Sequence, residues 1–522
     1  MSAPAAPTPA APAAPGVDDA LVARLADIVG ERYVLRRPAE LRVYDADGLP
    51  GVHRRPALAV LPGTRDEVVA VVRRLTEAGV PFVARGAGTG LSGGALADGA
   101  AHGAVLVGLN RLSRVLRVDP ENRVAVVEPG VVNARLQRAL VPHRLHYAPD
   151  PSSQSACTVG GNVAENAGGP HCLKYGVTLN HVLAATVVLP DGEVVALGNA
   201  AGEDAGYDLL GAFVGSEGCF GVALDVTVRL TPDPEAVRTL LASFADVEGA
   251  ARATSAVIAS GIVPAALEVM DRPAVAAVEA SVYAAGYPVD AAAVLLCELD
   301  GPEAGLDADA DRVAALCLTH GAREVRRAGD AAERQRLWQG RKKAFGAMGR
   351  LAPSLVLQDA VVPRTRLPAV LAEVYAAAAR HGVRVANFFH AGDGNLHPAV
   401  PYDAADPDEA RRVHLAMGEI MRACVDAGGT ITGEHGVGLD KLPYMERLFD
   451  PPTLAAMCAL RDAFDPARRA NPGKAVPVRG CREWRAAPNA EPLGAVPSGA
   501  TPLGAGSPGA GSLGGASSGA PA

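Results

Sequence analysis

The chain reads as an α+β protein of two domains, on three observations. Its 522 residues exceed what one hydrophobic core usually organises. A strand–helix–strand unit starting at residue 57 runs into a glycine-rich loop and then into strands with no long helix between them. From residue 238 a strand–helix–strand order occurs twice in succession, the pattern of an antiparallel sheet with two helices on one face. A boundary near Thr231-Pro232 gives domains over 19–232 and 233–478.

The opening "MSAPAAPTPAAPAAPG" has no charged n-region and no leucine-rich stretch, so 1–18 is expected to be a disordered Ala/Pro tail and not a signal peptide. "ALAVLP" then reads as a buried strand, Thr64 to Glu67 as a capping box opening the helix "DEVVAVVRRLTEAG", and "VPFVAR" as the next strand. "AVLVGL" and "RVAVVEPG" follow as strands. "DPSSQSACTVGGNVAENAGG" is too rich in Gly, Ser and Asn for regular structure, and Asp191-Gly192 marks a hairpin in "HVLAATVVLPDGEVVAL".

In the second half, strands at 238–244, 263–270, 292–299 and 322–327 with helices at 246–260 and 305–320 make the ferredoxin-like order. A continuous helix is expected over "AERQRLWQGRKKAFGAM", a strand at 354–362, and helices at 366–381, 407–427 and 452–464. Beyond Cys481 the composition cannot bury enough apolar surface to order itself, so 479–522 is expected to be a disordered Gly/Ala/Pro/Ser tail.

Composition excludes several functions. Lys+Arg 49 against Asp+Glu 57, a net charge of -8, leaves no footprint for nucleic acid. No apolar run reaches the ~20 residues of a transmembrane helix, and cytoplasmic residence is the expectation. The 8 cysteines include no Cys-x-x-Cys pair, so neither an iron–sulfur cluster nor a disulfide framework is expected.

"RGAGTGLSGG" (85–94) satisfies Gly-x-Gly-x-x-Gly through Gly88, Gly90 and Gly93. A dinucleotide Rossmann loop must open a helix, whereas this one leads through a turn-rich segment to a strand, so that reading fails. What remains is a loop whose backbone N–H groups, with Thr89 and Ser92, can approach an anion; taken alone, a mobile surface loop is the lesser alternative. "PDPSS" (149–153) and "TVGGNVAENAGG" (158–169) repeat the same chemistry nearby, as a large dinucleotide would require.

With "DPSSQSACTVGGNVAENAGGPHCLKYG", "GSEGCFG" and "NPGK" (471–474), these loops resemble the FAD-binding loops of the vanillyl-alcohol oxidase or PCMH-type flavoproteins. Within them the chain is similar to the FAD-linked subunit of bacterial glycolate oxidase and to D-lactate and D-2-hydroxyglutarate dehydrogenases, over roughly residues 20 to 477. The resemblance implies a two-subdomain PCMH-type FAD-binding domain followed by a substrate domain of the FAD-linked oxidase C-terminal type. It implies a pyrophosphate site at Arg85, Gly86, Ala87, Gly88, Thr89, Gly90, Ser92 and Gly93. The flavin and ribityl side falls on Pro149, Asp150, Pro151, Ser152, Thr158, Gly160, Gly161, Asn162 and Gly168. The adenine side falls on Glu217, Gly218, Gly221 and Val222, and Asn471 lies in the last motif. Cys219-Phe220 departs from the smaller residues common in relatives. No first-loop position holds a His, so the FAD is expected to be non-covalent.

"NFFHAGDGNLHP" (387–398) carries two histidines around Asp393-Gly394, a favoured centre for a two-residue type I′ turn. That register makes His390 face His397, with Cβ atoms about 4.5–5.5 Å apart. A bare His–His pair is more often structural than metal-binding, but "GGTITGEHGVG" supplies Glu434 and His435, and His, His and carboxylate with an open position is a catalytic ligand set. In the related hydroxyacid dehydrogenases, residues matching His390, His397 and Glu434 hold a divalent metal, usually described as zinc or a similar ion. The residue matching His435 is the catalytic base.

The resemblance also places an arginine for the substrate carboxylate at Arg341; the alternative is a solvated helix charge beside Lys342 and Lys343. Phe345 stands where the 2-hydroxyglutarate enzymes use a threonine for a distal carboxylate, which favours a smaller substrate, glycolate or D-lactate. His171 covers the flavin edge or takes part in catalysis. The implied function is FAD- and metal-dependent oxidation of a short 2-hydroxyacid. Electrons would pass to iron–sulfur and second flavin-domain subunits of a membrane-associated complex, or to another protein or quinone. D-2-Hydroxyglutarate is the alternative substrate. Other classes are a non-catalytic flavin-binding subunit, which should lack the histidine hairpin and the Glu-His pair, and a non-redox alkyl-glycerone phosphate synthase.

Overall fold

The structure, a computed structural model, describes residues 16–202 and 206–476. The expected tails lie outside these residues except at Gly16 to Asp18, of which Asp18 is no tail residue but the cap of the helix Asp19–Val29, its carboxylate accepting from Leu21 N at 2.7 Å.

Strands Leu58–Val60 and Phe82–Arg85 flank the helix Arg65–Glu77, as expected, but they do not touch. Val105–Gly108 inserts between them and pairs in parallel with both. Thr64 caps the helix by accepting from Glu67 N at 3.2 Å, while Glu67 reaches back to Gly63 N at 2.7 Å, one residue beyond the usual box. A five-stranded antiparallel sheet follows, in the order Val115–Asp119, Val124–Val127, Val222–Arg229, Val182–Val188, Val194–Gly198. One expectation fails here. Val159–Glu165 is helical despite its glycines, because Thr158 Oγ1 caps it from Gly161 N and Val159, Asn162 and Val163 bury its inner face.

In the second half the strands order as Ala322–Arg327, Ala236–Phe244, Ala293–Gly301, Ala266–Asp271, every pair antiparallel. That is the 4-1-3-2 arrangement of the ferredoxin-like pattern, with Val247–Ala259 and Leu306–Thr319 packed into one hydrophobic cluster on one face. Ala386–His390 adds to the free edge of Ala266–Asp271, which sets Glu268 directly opposite His390. The long helix expected at 332–348 is broken at Lys343 into Ala331–Lys342 and Ala344–Met348. The strand expected at 354–362 is likewise split, into Ser354–Leu357 and Ala360–Val361, freeing Gln358 and Asp359 between them.

The end of the described chain returns to the first half, where Ala470 bridges Phe82 and Asn471 Nδ2 donates to Gly94 O at 3.0 Å. Cys458 is disulfide-bonded, against expectation, whereas Cys157, Cys172, Cys219, Cys297, Cys317 and Cys424 are free thiols. No helix among the described residues is long and apolar enough to cross a membrane.

Candidate active site

The glycine loops and the histidine segment, distant in sequence, line one cavity of about 500 Å³. Of the residues expected to hold cofactor, Arg85 to Gly90, Pro151, Ser152, Thr158, Gly160 to Asn162, Gly168, Glu217, Gly218, Gly221 and Val222 lie on its wall. Asn162 Nδ2, Glu165 Oε2 and Ser216 Oγ are buried on that wall without a partner in the protein. Buried polar atoms left unpaired are costly, so the cavity fits a large polar ligand such as FAD.

Ser92, Gly93, Pro149, Asp150 and Asn471 stand behind the wall. Ser92 O accepts from Leu439 N at 2.8 Å, and Pro149 O from Asn133 Nδ2 at 2.9 Å. Asp150 Oδ2 lies 2.9 Å from His171 Nδ1 and accepts from Lys342 Nζ at 2.7 Å. Burial opposes its ionisation, but His171 and Lys342 hold the carboxyl well below the usual range. Glu217 does line the cavity, yet its oxygens accept from Val437 N and Gly438 N at 2.6 and 2.7 Å. It holds the Glu-His loop against the cofactor loops.

His171 is absent from the wall. Its Nε2 lies 3.4 Å from Glu298 Oε1, so the ring ties the first half of the chain to the second. Arg341, Lys342 and Lys343 all line the cavity, the first two in the last turn of the helix Ala331–Lys342 and the third as its C-cap. Arg341 is buried, 2% exposed, with its guanidinium 5.6 Å from the Phe388 ring centroid.

The hairpin register differs from the expected one. Asn387 pairs with Pro398 and His390 with Asn395, so the connection is a four-residue turn at 391–394 in which Gly394 takes positive φ and Asp393 does not. His397 therefore lies diagonal to His390 instead of opposite it. A two-residue change of register preserves the face of a strand, and the rings still meet, their centroids 5.0 Å apart.

His390 Nε2 and His397 Nε2 each lie 3.1 Å from Glu434 Oε1. The other ring nitrogens decide what this means. His397 Nδ1 is 3.0 Å from the carbonyl of Gln358, which can only accept, and His390 Nδ1 is 2.8 Å from Glu268 Oε1. Both Nδ1 atoms are donors, so in neutral imidazoles both Nε2 lone pairs point at a carboxylate oxygen. Three converging acceptors need a shared cation or extra protons, and the set fits a divalent metal held by His390, His397 and Glu434.

Asp359, His397, Glu434 and His435 also cluster closely enough to suggest a ligand group. Asp359 Oδ2, however, already accepts from Thr432 Oγ1, from the backbone N–H groups of Gly433, Glu434 and His435, and from Lys441 Nζ, at 2.6 to 3.2 Å. It is the anchor of the loop. The His435 ring stacks on His397 at 5.1 Å, and burial lowers its pKa to about 4, leaving it neutral.

Glu268, Asp359 and Glu165 were not singled out from sequence. Glu268 and Asp359 were recoverable as lone charges in the apolar runs "AALEVM" and "VLQDAVV", whose burial demands partners.

Residues 233–475 match the model of FAD linked oxidases, C-terminal domain, and residues 56–198 that of an FAD binding domain. The chain is 46% identical to glycolate oxidase subunit GlcD of Escherichia coli strain K12, across 87% of this chain and 90% of that one. The chain belongs to the FAD-linked oxidase family. GlcD of Bacillus subtilis is 40% identical over 83% of this FAD-linked oxidase and 91% of its own length. D-lactate dehydrogenase of Anaerostipes hadrus is 33% identical over 80% and 89%. Among solved structures, p-cresol methylhydroxylase superposes with a TM-score of 0.75 at 18% identity, covering 88% of this chain and 96% of that one. 4-Ethylphenol oxidase from Gulosibacter chungangensis gives 0.72 at 20% identity, covering 88% and 98%. The PCMH-type FAD-binding fold is therefore shared, and this FAD-linked oxidase is an oxidoreductase.

Proposed function

We propose that this protein oxidises a short 2-hydroxyacid, glycolate or D-lactate, to the 2-oxoacid with non-covalent FAD and a divalent metal, zinc or a similar ion. The observation that carries the reading is the convergence of His390, His397 and Glu434, with His435 and Arg341, on the cavity that the glycine loops line. The names of relatives, glycolate oxidase subunit and D-lactate dehydrogenase, support the substrate class.

Bound FAD would supply the hydride acceptor, and a cation held by His390, His397 and Glu434 would acidify the substrate hydroxyl. Arg341 grips the carboxylate with a planar guanidinium and so sets which face of C2 is presented. His435, neutral and beside Glu434, takes the hydroxyl proton. Asp359 holds the His435 backbone in place. Phe345, on the cavity wall, itself offers no hydrogen-bond donor to a second carboxylate, which favours the short substrates over D-2-hydroxyglutarate. Electrons then leave to a partner, either iron–sulfur and second flavin-domain subunits or a quinone, and the protein works in the cytoplasm or at the inner face of the membrane. A non-catalytic flavin subunit would have no use for the buried His, His and Glu set.

The test is anaerobic flavin bleaching with glycolate, D-lactate, L-lactate and D-2-hydroxyglutarate, beside metal analysis of wild type and His390→Ala. Bleaching by glycolate or D-lactate and loss of metal in the variant are expected. Failure of every hydroxyacid to reduce the flavin removes the dehydrogenase reading, and full metal occupancy in His390→Ala removes the ligand assignment.

A further inference from the structure

We infer that Glu268 is a positioning residue that orients the metal ligand His390 and the carboxylate-gripping Arg341 with a single side chain, and so couples metal binding to substrate binding. The inference rests on the function proposed above. Glu268 lies in the strand Ala266–Asp271, opposite His390 in the register, and is fully buried at 0% exposure. Its Oε1 and Oε2 lie 2.8 and 2.9 Å from His390 Nδ1, and Oε2 lies 2.5 Å from Arg341 Nη2.

Two things follow from that geometry. A carboxylate on Nδ1 fixes the imidazole tautomer that leaves Nε2 free for a metal and raises its basicity as a ligand. The same charge compensates a guanidinium that burial would otherwise penalise, and holds it where Phe388 covers one face. Oε2 contacts both partners, so displacing one changes the field at the other. Arg341 Nε and Nη2 make no hydrogen bond within the protein, so Glu268 meets the guanidinium as an ion pair and these donors remain available for a ligand.

FAD-loaded Glu268→Gln, which keeps the shape and removes the charge, should bind zinc about 10–100-fold more weakly in competition with a chromogenic chelator. Its KM for the hydroxyacid that bleaches the wild-type flavin should rise about tenfold or more, by more than kcat falls. The KM penalties of Glu268→Gln and Arg341→Lys should fall short of additive in the double variant. Glu268→Asp, which restores the charge one methylene short, should recover part of both losses. It serves as the deciding variant if Glu268→Gln does not fold. Unchanged zinc affinity and KM overturn the inference, as does a change in only one of them, because the dual contact is its content. A wild-type protein that binds no zinc but is reduced by a hydroxyacid removes the ligand assignment itself, and with it the His390 half of this inference. A wild-type flavin that no hydroxyacid reduces is a failure of the proposed function, read before any variant is made.

Discussion

His435 shows how little of a residue's chemistry resides in its type. An exposed imidazole titrates near 6.5. Here burial lowers the pKa to about 4, despite the opposing charges of Asp359 and Glu434, so the ring is a neutral acceptor throughout the physiological range. Its Nε2 is 3.7 Å from Glu434 Oε1 and its Nδ1 3.9 Å from Asp359 Oδ2, too far for either carboxylate to accept a hydrogen bond from the ring. Replacing His435 with Asn should lower the rate of anaerobic flavin reduction about 10²–10⁴-fold, the usual loss on removing a general base. FAD content and metal content should remain at wild-type levels. Stopped-flow absorbance at the flavin band measures the rate, and a wild-type rate in the variant would remove His435 from the reaction.

The element that decides the site is the loop 433–438, and it is built from the outside. Asp359 gathers its amides from one side, and Glu217 takes Val437 N and Gly438 N from the other. Gly438 sits at φ 51° against the first glycine loop, where an added Cβ would come within 2.1 Å of Ser92 O. The close approach lets the histidine loop reach the cofactor wall. Gly438→Ala should therefore destabilise the protein by about 1–3 kcal/mol and displace the loop from the cavity. Denaturant unfolding and the FAD content of the purified variant check this. Wild-type values for both would show that the approach tolerates a side chain. The hairpin carries a complementary lesson: its expected register was off by two residues, yet the His390 and His397 rings still meet, because strand periodicity preserves faces across an even shift.

Across the whole molecule, the two halves are tied by a buried ionic network at the back of the cavity. Asp150 binds His171 and Lys342, while Glu298 takes His171, Arg334 and Trp338. Lys342 is the neighbour of Arg341, so this tie also sets how Arg341 meets the glycine loops. Burial tends to discharge His171, but Asp150 and Glu298 overcome that and raise its pKa to about 10. A histidine whose folded pKa is raised contributes stability in full below its unfolded value near 6.5, and the contribution is lost as pH rises through about 10. The difference in thermal midpoint between wild type and His171→Gln should accordingly shrink between pH 7 and pH 10.5. A difference that grows over that interval would contradict the assignment.

Local pattern carried much of this protein's organisation. The ferredoxin-like order, the Thr64 cap and the Asp191-Gly192 hairpin follow from periodicity and turn chemistry, which act over a few residues. The same is true of the glycine loops and of the His, His and Glu-His segments, whose residue types name the chemistry before any contact is known. Contacts between distant residues decided the rest. Val105–Gly108 enters between two strands that sequence order suggests are neighbours, and the Gly-rich 159–165 segment becomes a helix once its apolar side is covered. Glu268 is 122 residues from His390 in the chain, and Asp359 is 75 from Glu434. A buried charge is tolerated only where the fold delivers its partners, and it is the tertiary structure that brings Glu268 to His390 and Arg341 and Asp359 to the loop that carries His435.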